Sequence, residues 1–392
     1  MTLRFARRIQ HIEPFRVMSL LARAQELEEA GKQVIHMEVG EPDFPCADIL
    51  VGAGQKALEQ GQTRYTSALG IWTLRKAISD YYQQRFSVEV EPERIVITAG
   101  ASGALMLLSA LLVNEGEGLL VTDPGYPCNP HFLQVVGGEG QSVPVSSESH
   151  YQLTPELIEQ YWQKNTVGVL AASPANPTGE VISKREMQAL YDTVTSRQGA
   201  LVVDEIYQGL TYSQESEATD FSALSVSDDI YVINSFSKYF GMTGWRLGWL
   251  VAPKAAIPEL EKLAQNLFIC ASTVSQYAAL EAFSETALEE FENRRQELQT
   301  RRDYLLPALR ELGFEIPHTP EGAFYLYANI EKFGLASEDF CHRLLEEHFV
   351  AITPGTDFGK YQADNHVRFA YTQPVPIMRD AISRIRLFVE SL

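Results

Sequence analysis

Residues 231–249 read Y-V-I-N-S-F-S-K-Y-F-G-M-T-G-W-R-L-G-W, and the rest of the chain is best interpreted around them. Tyr231 to Ile233 are typical of a short buried strand. A serine-rich segment with Lys238 follows, and then a glycine-rich turn around Arg246. A lysine whose amine is neutral can form a Schiff base with an aldehyde. Taken alone, however, Lys238 favours the ordinary interpretation of a solvated lysine at a strand end.

The amino-acid composition is typical of a soluble globular protein, with 45% hydrophobic and 21% charged residues. The chain has 392 residues, which is longer than a chain that folds around one hydrophobic core of usual size. We therefore expect two domains, or one large domain with an appendage. The net charge of -19 argues against nucleic-acid binding, which needs a basic face. A local site for an acidic substrate remains compatible with this charge.

The cysteines and histidines argue against disulfides and metal sites, and the N-terminus argues against export and membrane insertion. Because no two cysteines are close in sequence, we expect free thiols in a reducing compartment, without disulfides or a zinc site. The histidines are scattered as well, so no metal site is predicted. No apolar core follows the basic N-terminus and no apolar run could cross a bilayer, so the expected location is cytoplasmic, with no membrane partner. The cysteines are Cys46, Cys128, Cys270 and Cys341.

Short apolar strands alternate with helices from about residue 95 to residue 233. Strands of this kind indicate a mainly parallel central sheet covered by helices, so we predict an α/β fold with three layers. After about residue 255 the pattern becomes nearly all helical and then mixed, which indicates a smaller α+β domain. The short strands predicted there cover 314–316, 322–327, 350–353 and 367–370.

The predicted domain boundaries follow from this change of pattern. Residues 1–45 are expected to contribute to the small domain, residues 46–285 to form the large domain, and residues 286–392 to complete the small one.

Several polar side chains follow directly after predicted strands. Asp204 follows four apolar residues, and Tyr126, Asn176 and Tyr207 lie in comparable positions. Open α/β sheets bind ligands at the carboxyl ends of their strands, so we expect these side chains to share a site. A buried carboxylate such as Asp204 requires a cation or a protonated nitrogen nearby.

A second group of residues is suited to an anion. Residues 99–103 form a predicted small-residue turn between the strand 95–98 and a helix from 104 to 112, a geometry that directs backbone N–H groups at an anion. Ser235, Ser237 and Arg246 add further donors. A phosphorylated aromatic aldehyde with a basic ring nitrogen would use all these groups together with Lys238, and pyridoxal phosphate is such a molecule.

Six motifs extend this interpretation, and in this order along the chain they resemble those of the class I/II aminotransferases, which are fold-type-I pyridoxal-phosphate enzymes of the aspartate aminotransferase superfamily. The motifs are V-G-E-P-D-F (39–44), D-P-G-Y-P (123–127), S-P-A-N-P-T-G (173–179), V-V-D-E-I-Y (202–207), S-F-S-K-Y-F-G-M-T-G-W-R-L-G-W (235–249) and V-R-F-A (367–370).

The resemblance implies a role for each residue near the cofactor. Lys238 would hold pyridoxal phosphate as an internal aldimine and then move the proton at the substrate Cα. Asp204 would keep the pyridine nitrogen protonated. Asn176 and Tyr207 would hydrogen-bond the phenolic oxygen of the ring, and Tyr126 would stack on the ring.

The resemblance also implies how the phosphate and the substrate are held. The phosphate would be bound by the backbone N–H groups of Ala101 and Ser102, by Ser235 and Ser237, by Arg246, and by Tyr65 from a second subunit. A homodimer with shared sites is therefore implied. Arg368 would bind the substrate α-carboxylate, helped by Asn176 and the backbone of Gly40.

The implied activity is transfer of an amino group from an L-amino acid to a 2-oxo acid, pyruvate or 2-oxoglutarate, by a ping-pong mechanism. Prokaryotic aspartate aminotransferases of this type often have a lysine at the position of Ser102, so its absence favours a neutral or aromatic amino donor. Trp72, His131 and Phe15 are weaker candidates for a side-chain pocket.

Three other functions remain open from the sequence. A lyase, decarboxylase or synthase could use the same cofactor and fold. A non-catalytic, pyridoxal-phosphate-binding regulator would normally carry a DNA-binding domain before this fold, and too few residues precede it here. A nicotinamide dehydrogenase has only the doubly wound pattern of strands and helices and the weak fingerprint G-A-G-Q-K-A at 52–57 in its favour. We interpret that segment as helix packing.

Overall fold

The computed structural model describes residues 3–14, 16–212 and 220–392. In chain order its strands are β1 (Ile35–His36), β2 (Ile95–Thr98), β3 (Gly118–Asp123), β4 (Glu139–Pro144), β5 (Thr166–Ala172), β6 (Ala200–Asp204), β7 (Tyr231–Ser235), β8 (Gly248–Val251), β9 (Tyr325–Asn329), β10 (Val350–Ala351), β11 (Thr353–Pro354) and β12 (His366–Ala370).

The helices of the described residues follow here in chain order. They are α1 (Arg16–Glu29), α2 (Asp48–Glu59), α3 (Trp72–Phe86), α4 (Gly100–Leu112), α5 (Asn129–Val135), α6 (Pro155–Tyr161), α7 (Lys184–Ser196), α8 (Ile257–Leu267), α9 (Thr273–Ala279), α10 (Glu285–Leu312), α11 (Ser337–His348) and α12 (Val375–Glu390).

The central sheet has seven strands in the order β2-β8-β7-β6-β5-β3-β4. The strands from β7 to β4 run parallel, and β8 lies antiparallel between β2 and β7. Every residue of β2 and β8 is buried, as expected for a sheet covered on both faces. The predicted α/β fold with a mainly parallel sheet is confirmed. Because β3, β5, β6 and β7 are parallel, their carboxyl ends meet at one edge.

A second, antiparallel sheet has the order β11-β12-β9, and β1 pairs separately with β10 in parallel. The prediction of one strand over 350–353 is wrong, because β10 and β11 belong to different sheets with Ile352 between them. The predicted strand at 314–316 is also wrong. In that segment only Glu315 forms a bridge, with Asn329, and no ladder extends from it.

Local sequence signals explain several helix starts. Ser183 and Glu186 form a reciprocal capping box at α7. Thr154 caps α6, and Pro155 is the first residue of that helix. The small-residue turn predicted at 99–103 is corrected, because α4 already begins at Gly100. Gly100 has φ of +70°, which lets the chain turn from β2 directly into the helix.

The fingerprint-like segment 52–57 lies inside α2, where Gly54 faces the indole of Trp245 and a Cβ would overlap that ring. This confirms the interpretation as helix packing. Within the described residues, no helix combines the length and the apolar character needed to cross a membrane. All four cysteine thiols are free.

Candidate active site

A cavity of about 260 Å³ lies at the carboxyl edge of the central sheet and is closed on its other side by α1 and by residues of the smaller sheet. It brings together nearly all the predicted site residues. The predicted residues that line it are Gly40, Ala101, Ser102, Tyr126, Asn176, Asp204, Tyr207, Ser235, Ser237, Lys238, Arg246 and Arg368.

Lys238 directs its amine into this cavity, where Nζ donates to the carbonyl of Gly40 at 2.6 Å. The aromatic rings of Tyr207 and Phe324 lie 5.6 and 5.7 Å from Nζ. Burial lowers the pKa of Lys238 to about 8, although the negative charge of Glu41 opposes this shift. Near neutral pH the amine is therefore neutral far more often than that of an ordinary lysine, as a nucleophile requires.

Asp204 is the last residue of β6 and is only 5% exposed. Its Oδ1 accepts from the backbone N–H of Ile206 at 3.0 Å. Burial raises the pKa of Asp204 to about 6, against the opposing effects of that hydrogen bond and of Lys238. The carboxylate is therefore ionised at neutral pH, and in the described residues no side chain donates a hydrogen bond to it. It is suited to a protonated nitrogen of a ligand.

Tyr207 and Asn176 are held by the smaller sheet. The hydroxyls of Tyr207 and Tyr325 are 2.8 Å apart. Asn176 Oδ1 accepts from Arg368 Nη1 at 2.9 Å. Burial raises the pKa of Tyr207 well above its ordinary value, so its hydroxyl is neutral and able to donate.

The anion cradle is built from the turn after β7 and the start of α4. Ser235 Oγ donates to Ser237 Oγ at 3.0 Å, and it accepts from the Ser237 N–H at 3.1 Å. Arg246 Nη1 lies 3.5 Å from Ser237 Oγ and donates to the Thr243 carbonyl at 3.1 Å. A Cβ on Gly100 would stand 2.7 Å from Arg246 Nη2, so the guanidinium packs directly over the helix start. A helix N-terminus, two hydroxyls and a guanidinium fit a phosphate.

Arg368 is 4% exposed and is held by three acceptors. Besides Asn176, they are the carbonyl of Glu38, 2.5 Å from Nη2, and Thr353 Oγ1, 3.3 Å from Nη2. Its guanidinium lies 4.3 Å from the Tyr325 ring and 4.7 Å from that of Phe358. Its Nε has no hydrogen-bond partner among the described residues. This arrangement leaves a fixed cation that a carboxylate can approach.

The remaining predicted residues lie elsewhere. Tyr65 is 80% exposed and does not line this cavity. Trp72 is half exposed at the start of α3, and His131 lines a separate cleft of about 1300 Å³. Neither lines the Lys238 cavity, so the structure does not support them as pocket residues. Phe15 lies outside the described residues. Across the described residues, no cluster of three His, Cys, Asp or Glu side chains is suited to a metal ion.

Sequence reasoning missed one wall of the cavity. Val17, Met18 and Leu21 of α1 form an apolar surface facing the site. Their helical spacing is visible in the sequence, but it does not say which partner the apolar face meets. Tyr325 was missed because it lies within a predicted strand and nothing in the local sequence distinguishes it from other strand residues. Its position opposite Gly40 is a tertiary contact, where a Cβ on Gly40 would overlap its hydroxyl.

Comparison with known proteins agrees with this geometry. The model of the family "Aminotransferase class I and II" matches residues 32–385. The (5-formylfuran-3-yl)methyl phosphate transaminase of Methanocaldococcus jannaschii is 36% identical over 387 residues, which are 98% of this chain and 99% of that protein. The valine–pyruvate aminotransferase of Mycobacterium tuberculosis is 34% identical over 380 residues, 97% of each chain. The crystal structure of an aminotransferase from Mycobacterium tuberculosis matches with a TM-score of 0.96 and 34% identity over 100% of both chains.

These matches cover nearly the whole chain and are supported by motifs, fold and cavity together. They favour a transaminase over the nicotinamide dehydrogenase and the non-catalytic regulator. The chain belongs to the class I and II aminotransferases, a family of pyridoxal-phosphate-dependent enzymes.

Proposed function

We propose that this enzyme binds pyridoxal phosphate and transfers an amino group from an L-amino acid with a neutral side chain to pyruvate or 2-oxoglutarate. The observation that carries this proposal is the shared cavity of Lys238 and Asp204, which lies next to the cradle formed by Ser235, Ser237 and Arg246. An amine, a carboxylate and an anion site in one cavity match the three functional ends of this cofactor.

Each end of the cofactor has candidate partners. Lys238 would hold the aldehyde, Asp204 the ring nitrogen, and Asn176 and Tyr207 the phenolic oxygen, with Tyr126 against the ring. The backbone N–H groups of Ala101 and Ser102, the two serines and Arg246 would hold the phosphate. The fit is supported by the Asp204 carboxylate, to which no side chain of the described residues donates, and by the close packing of Arg246 over Gly100.

When bound, pyridoxal phosphate supplies the carbonyl that takes up the amino group and the ring that accepts the electron pair left at Cα. Lys238 would take the proton from the substrate Cα and return it to the cofactor side, acting as base and then as acid. Its lowered pKa of about 8 makes both directions accessible near neutral pH. Arg368 would hold the α-carboxylate, so that the Cα proton points towards Lys238.

The same site would process the donor and the acceptor in turn, which gives ping-pong kinetics. The donor would leave as its 2-oxo acid before the acceptor enters. Both substrates carry an α-carboxylate, so Arg368 would bind the donor and the acceptor at the same position.

The preference for neutral side chains rests on the cavity lining. Its cations are Lys238, Arg246 and Arg368, and each already has a proposed role. Among the described residues that line the cavity, no further cation is available for a side-chain carboxylate, and Val17, Met18 and Leu21 offer apolar contact. The name of the Mycobacterium tuberculosis relative, valine–pyruvate aminotransferase, agrees with this preference.

A homodimer with shared sites is part of the proposal. Tyr65 is exposed, yet its segment is anchored, because the carbonyl of Arg64 accepts from Thr273 Oγ1 at 2.7 Å. An exposed aromatic ring on an anchored segment is suited to reach a second subunit.

Two measurements test the proposal. Borohydride reduction of the purified holoenzyme followed by peptide mapping is expected to place a pyridoxyl group on Lys238, and a label on another residue would contradict the assignment. Incubation with a neutral L-amino acid and pyruvate or 2-oxoglutarate is expected to yield the exchanged pair. Release of ammonia without an acceptor would instead indicate the lyase alternative.

A further inference from the structure

The segment 35–40 carries two main-chain carbonyls that contact two cations of the cavity. The carbonyl of Glu38 accepts from Arg368 Nη2 at 2.5 Å and from Thr353 Oγ1 at 3.1 Å. The carbonyl of Gly40 accepts from Lys238 Nζ at 2.6 Å. The placement of this one segment therefore fixes both the cation proposed for the substrate carboxylate and the proposed catalytic amine.

The side chain of Glu38 is fully buried behind this segment. Its Oε1 lies 2.7 Å from Nδ1 of His36, and its Oε2 has no hydrogen-bond partner among the described residues. A carboxylate in such a position is strongly disfavoured unless a cation accompanies it. His36 is the titratable group in hydrogen-bond contact with it.

His36 is well placed to carry that positive charge. The hydrogen bond to Glu38 raises the pKa of His36 to about 9 despite partial burial, and Glu28 of α1 contributes from the other side, with Oε1 3.2 Å from Nε2. Arg384 of α12 also lies near this strand, where it donates to the carbonyl of Gln33 and pairs with Asp380. His36 and Glu38 are therefore an ion pair at neutral pH.

The backbone is fixed between these two residues. The N–H of Met37 donates to the carbonyl of Ala351 at 2.9 Å, and its carbonyl accepts from the N–H of Ala370 at 2.8 Å. Successive side chains of a strand point to opposite faces, so His36 and Glu38 lie on one face while Met37 enters the core. The backbone hydrogen bonds hold Met37, and the ion pair adds a side-chain contact between His36 and Glu38 on the opposite face of the segment.

We propose that His36 and Glu38 are a positioning pair, which holds segment 35–40 so that Arg368 and Lys238 keep their orientation in the cavity. The proposal rests on the proposed function in assigning Arg368 to the substrate carboxylate. It concerns ligand geometry, so its direct measure is the binding of a carboxylate and not turnover alone.

The test uses 3-phenylpropionate, a carboxylate with neither an amino nor an oxo group, and calorimetric titration of the holoenzyme at pH 7.5. His36→Gln leaves Glu38 as a buried anion without a cation, and we expect about tenfold weaker binding. Glu28→Gln is the matched control, because it removes only the outer contact of His36, and it should bind within about twofold of wild type. The double variant His36→Gln/Glu38→Gln removes both charges and should recover most of the lost affinity.

The pH profile separates positioning from a general loss of structure. Wild-type affinity should fall as pH rises through about 9, because His36 then loses its proton and its pairing with Glu38. His36→Gln and Glu38→Gln should both lack this step, and His36→Gln should bind more weakly than Glu38→Gln at every pH. Equal affinities of wild type and His36→Gln, or the same step near pH 9 in all variants, would overturn the proposal. Glu38→Gln keeps the test decisive if His36→Gln does not fold.

This outcome is separable from the proposed function. A wild-type protein that binds 3-phenylpropionate with the expected pH step but exchanges no amino group would support the positioning pair and count against transamination.

Discussion

Lys238 and Asp204 show how burial acts in opposite directions on two groups of one cavity. It lowers the pKa of Lys238 to about 8 and raises that of Asp204 to about 6, because the charged form is disfavoured in both cases. A ligand that reacts with the amine and presents a protonated nitrogen to the carboxylate relieves both costs at once. Lys238 and Asp204 together therefore indicate a cofactor site more specifically than either residue alone.

The pKa of Asp204 leads to a prediction for cofactor binding. The affinity of the cofactor-free protein for pyridoxal phosphate should decrease as pH falls through about 6, because protonated Asp204 cannot pair with a protonated ring nitrogen. Asp204→Asn should lack this component and should lower kcat about 10²-fold or more, through loss of charge stabilisation. Fluorescence titration at several pH values gives the affinities.

The variant is also the control for the ligand. A phosphate monoester loses its second proton near pH 6 as well, and that ionisation affects wild type and Asp204→Asn alike. Only the difference between the pH profiles of wild type and Asp204→Asn measures the contribution of Asp204 to cofactor affinity. Parallel profiles would show that this carboxylate does not contact the ring nitrogen.

The start of α4 determines the geometry of the phosphate cradle. Gly100 has φ of +70°, and the guanidinium of Arg246 packs where its Cβ would be. Gly248 of β8 packs against the backbone of the same turn, since a Cβ there would lie 2.8 Å from the Gly100 carbonyl carbon. Gly100 at the start of α4 and Gly248 at the start of β8 thus allow the helix N-terminus and Arg246 to pack closely together.

Gly100→Ala should therefore weaken cofactor binding more than it changes the chemistry. The substitution places an L-residue at positive φ, which costs about 1–2 kcal/mol, and it displaces Arg246. We expect the Kd of pyridoxal phosphate to rise about tenfold, while kcat at saturating cofactor stays within about threefold of wild type. Gly116→Ala is the matched control, since it also has positive φ but no atom within 4 Å of the added Cβ. Equal effects of the two substitutions on the Kd would contradict the cradle.

The elements differ in how far the sequence could predict them. The strands of the parallel sheet and most helices were predictable, because buried apolar runs and caps such as Ser183 are local signals. The division of 350–354 between β10 and β11 was not, because it depends on pairing with β1 and β12, which lie far away in sequence. The start of α4 was misjudged because small residues resemble a turn until the φ of Gly100 is known.

At the scale of the whole molecule, the candidate site combines parts of the chain that are far apart in sequence. The motifs predicted which residues meet at the sheet edge, since Asn176, Asp204 and Lys238 lie at or just after strand ends. The sequence did not predict that α1 supplies an apolar wall, or that Glu38 and Tyr325 hold Arg368 and Tyr207, because these contacts arise from packing between the two sheets. The domain boundaries at residues 45 and 285 remain a prediction.

The proposed homodimer with shared sites leads to the last prediction. If Tyr65 of one subunit completes the phosphate site of the other, a mixed dimer of Lys238→Ala and Tyr65→Ala subunits contains one intact site, with Lys238 from one chain and Tyr65 from the other. Lys238→Ala alone should be inactive, and Tyr65→Ala alone should be weak at limiting cofactor. Randomly reassembled equal mixtures should regain about a quarter of wild-type activity, because about half the dimers are mixed and each has one good site of two. Activity no higher than the mean of the two parent variants, with mixed dimers verified by mass spectrometry, would show that each subunit builds its site alone. Then the exposure of Tyr65, at 80%, would need another explanation.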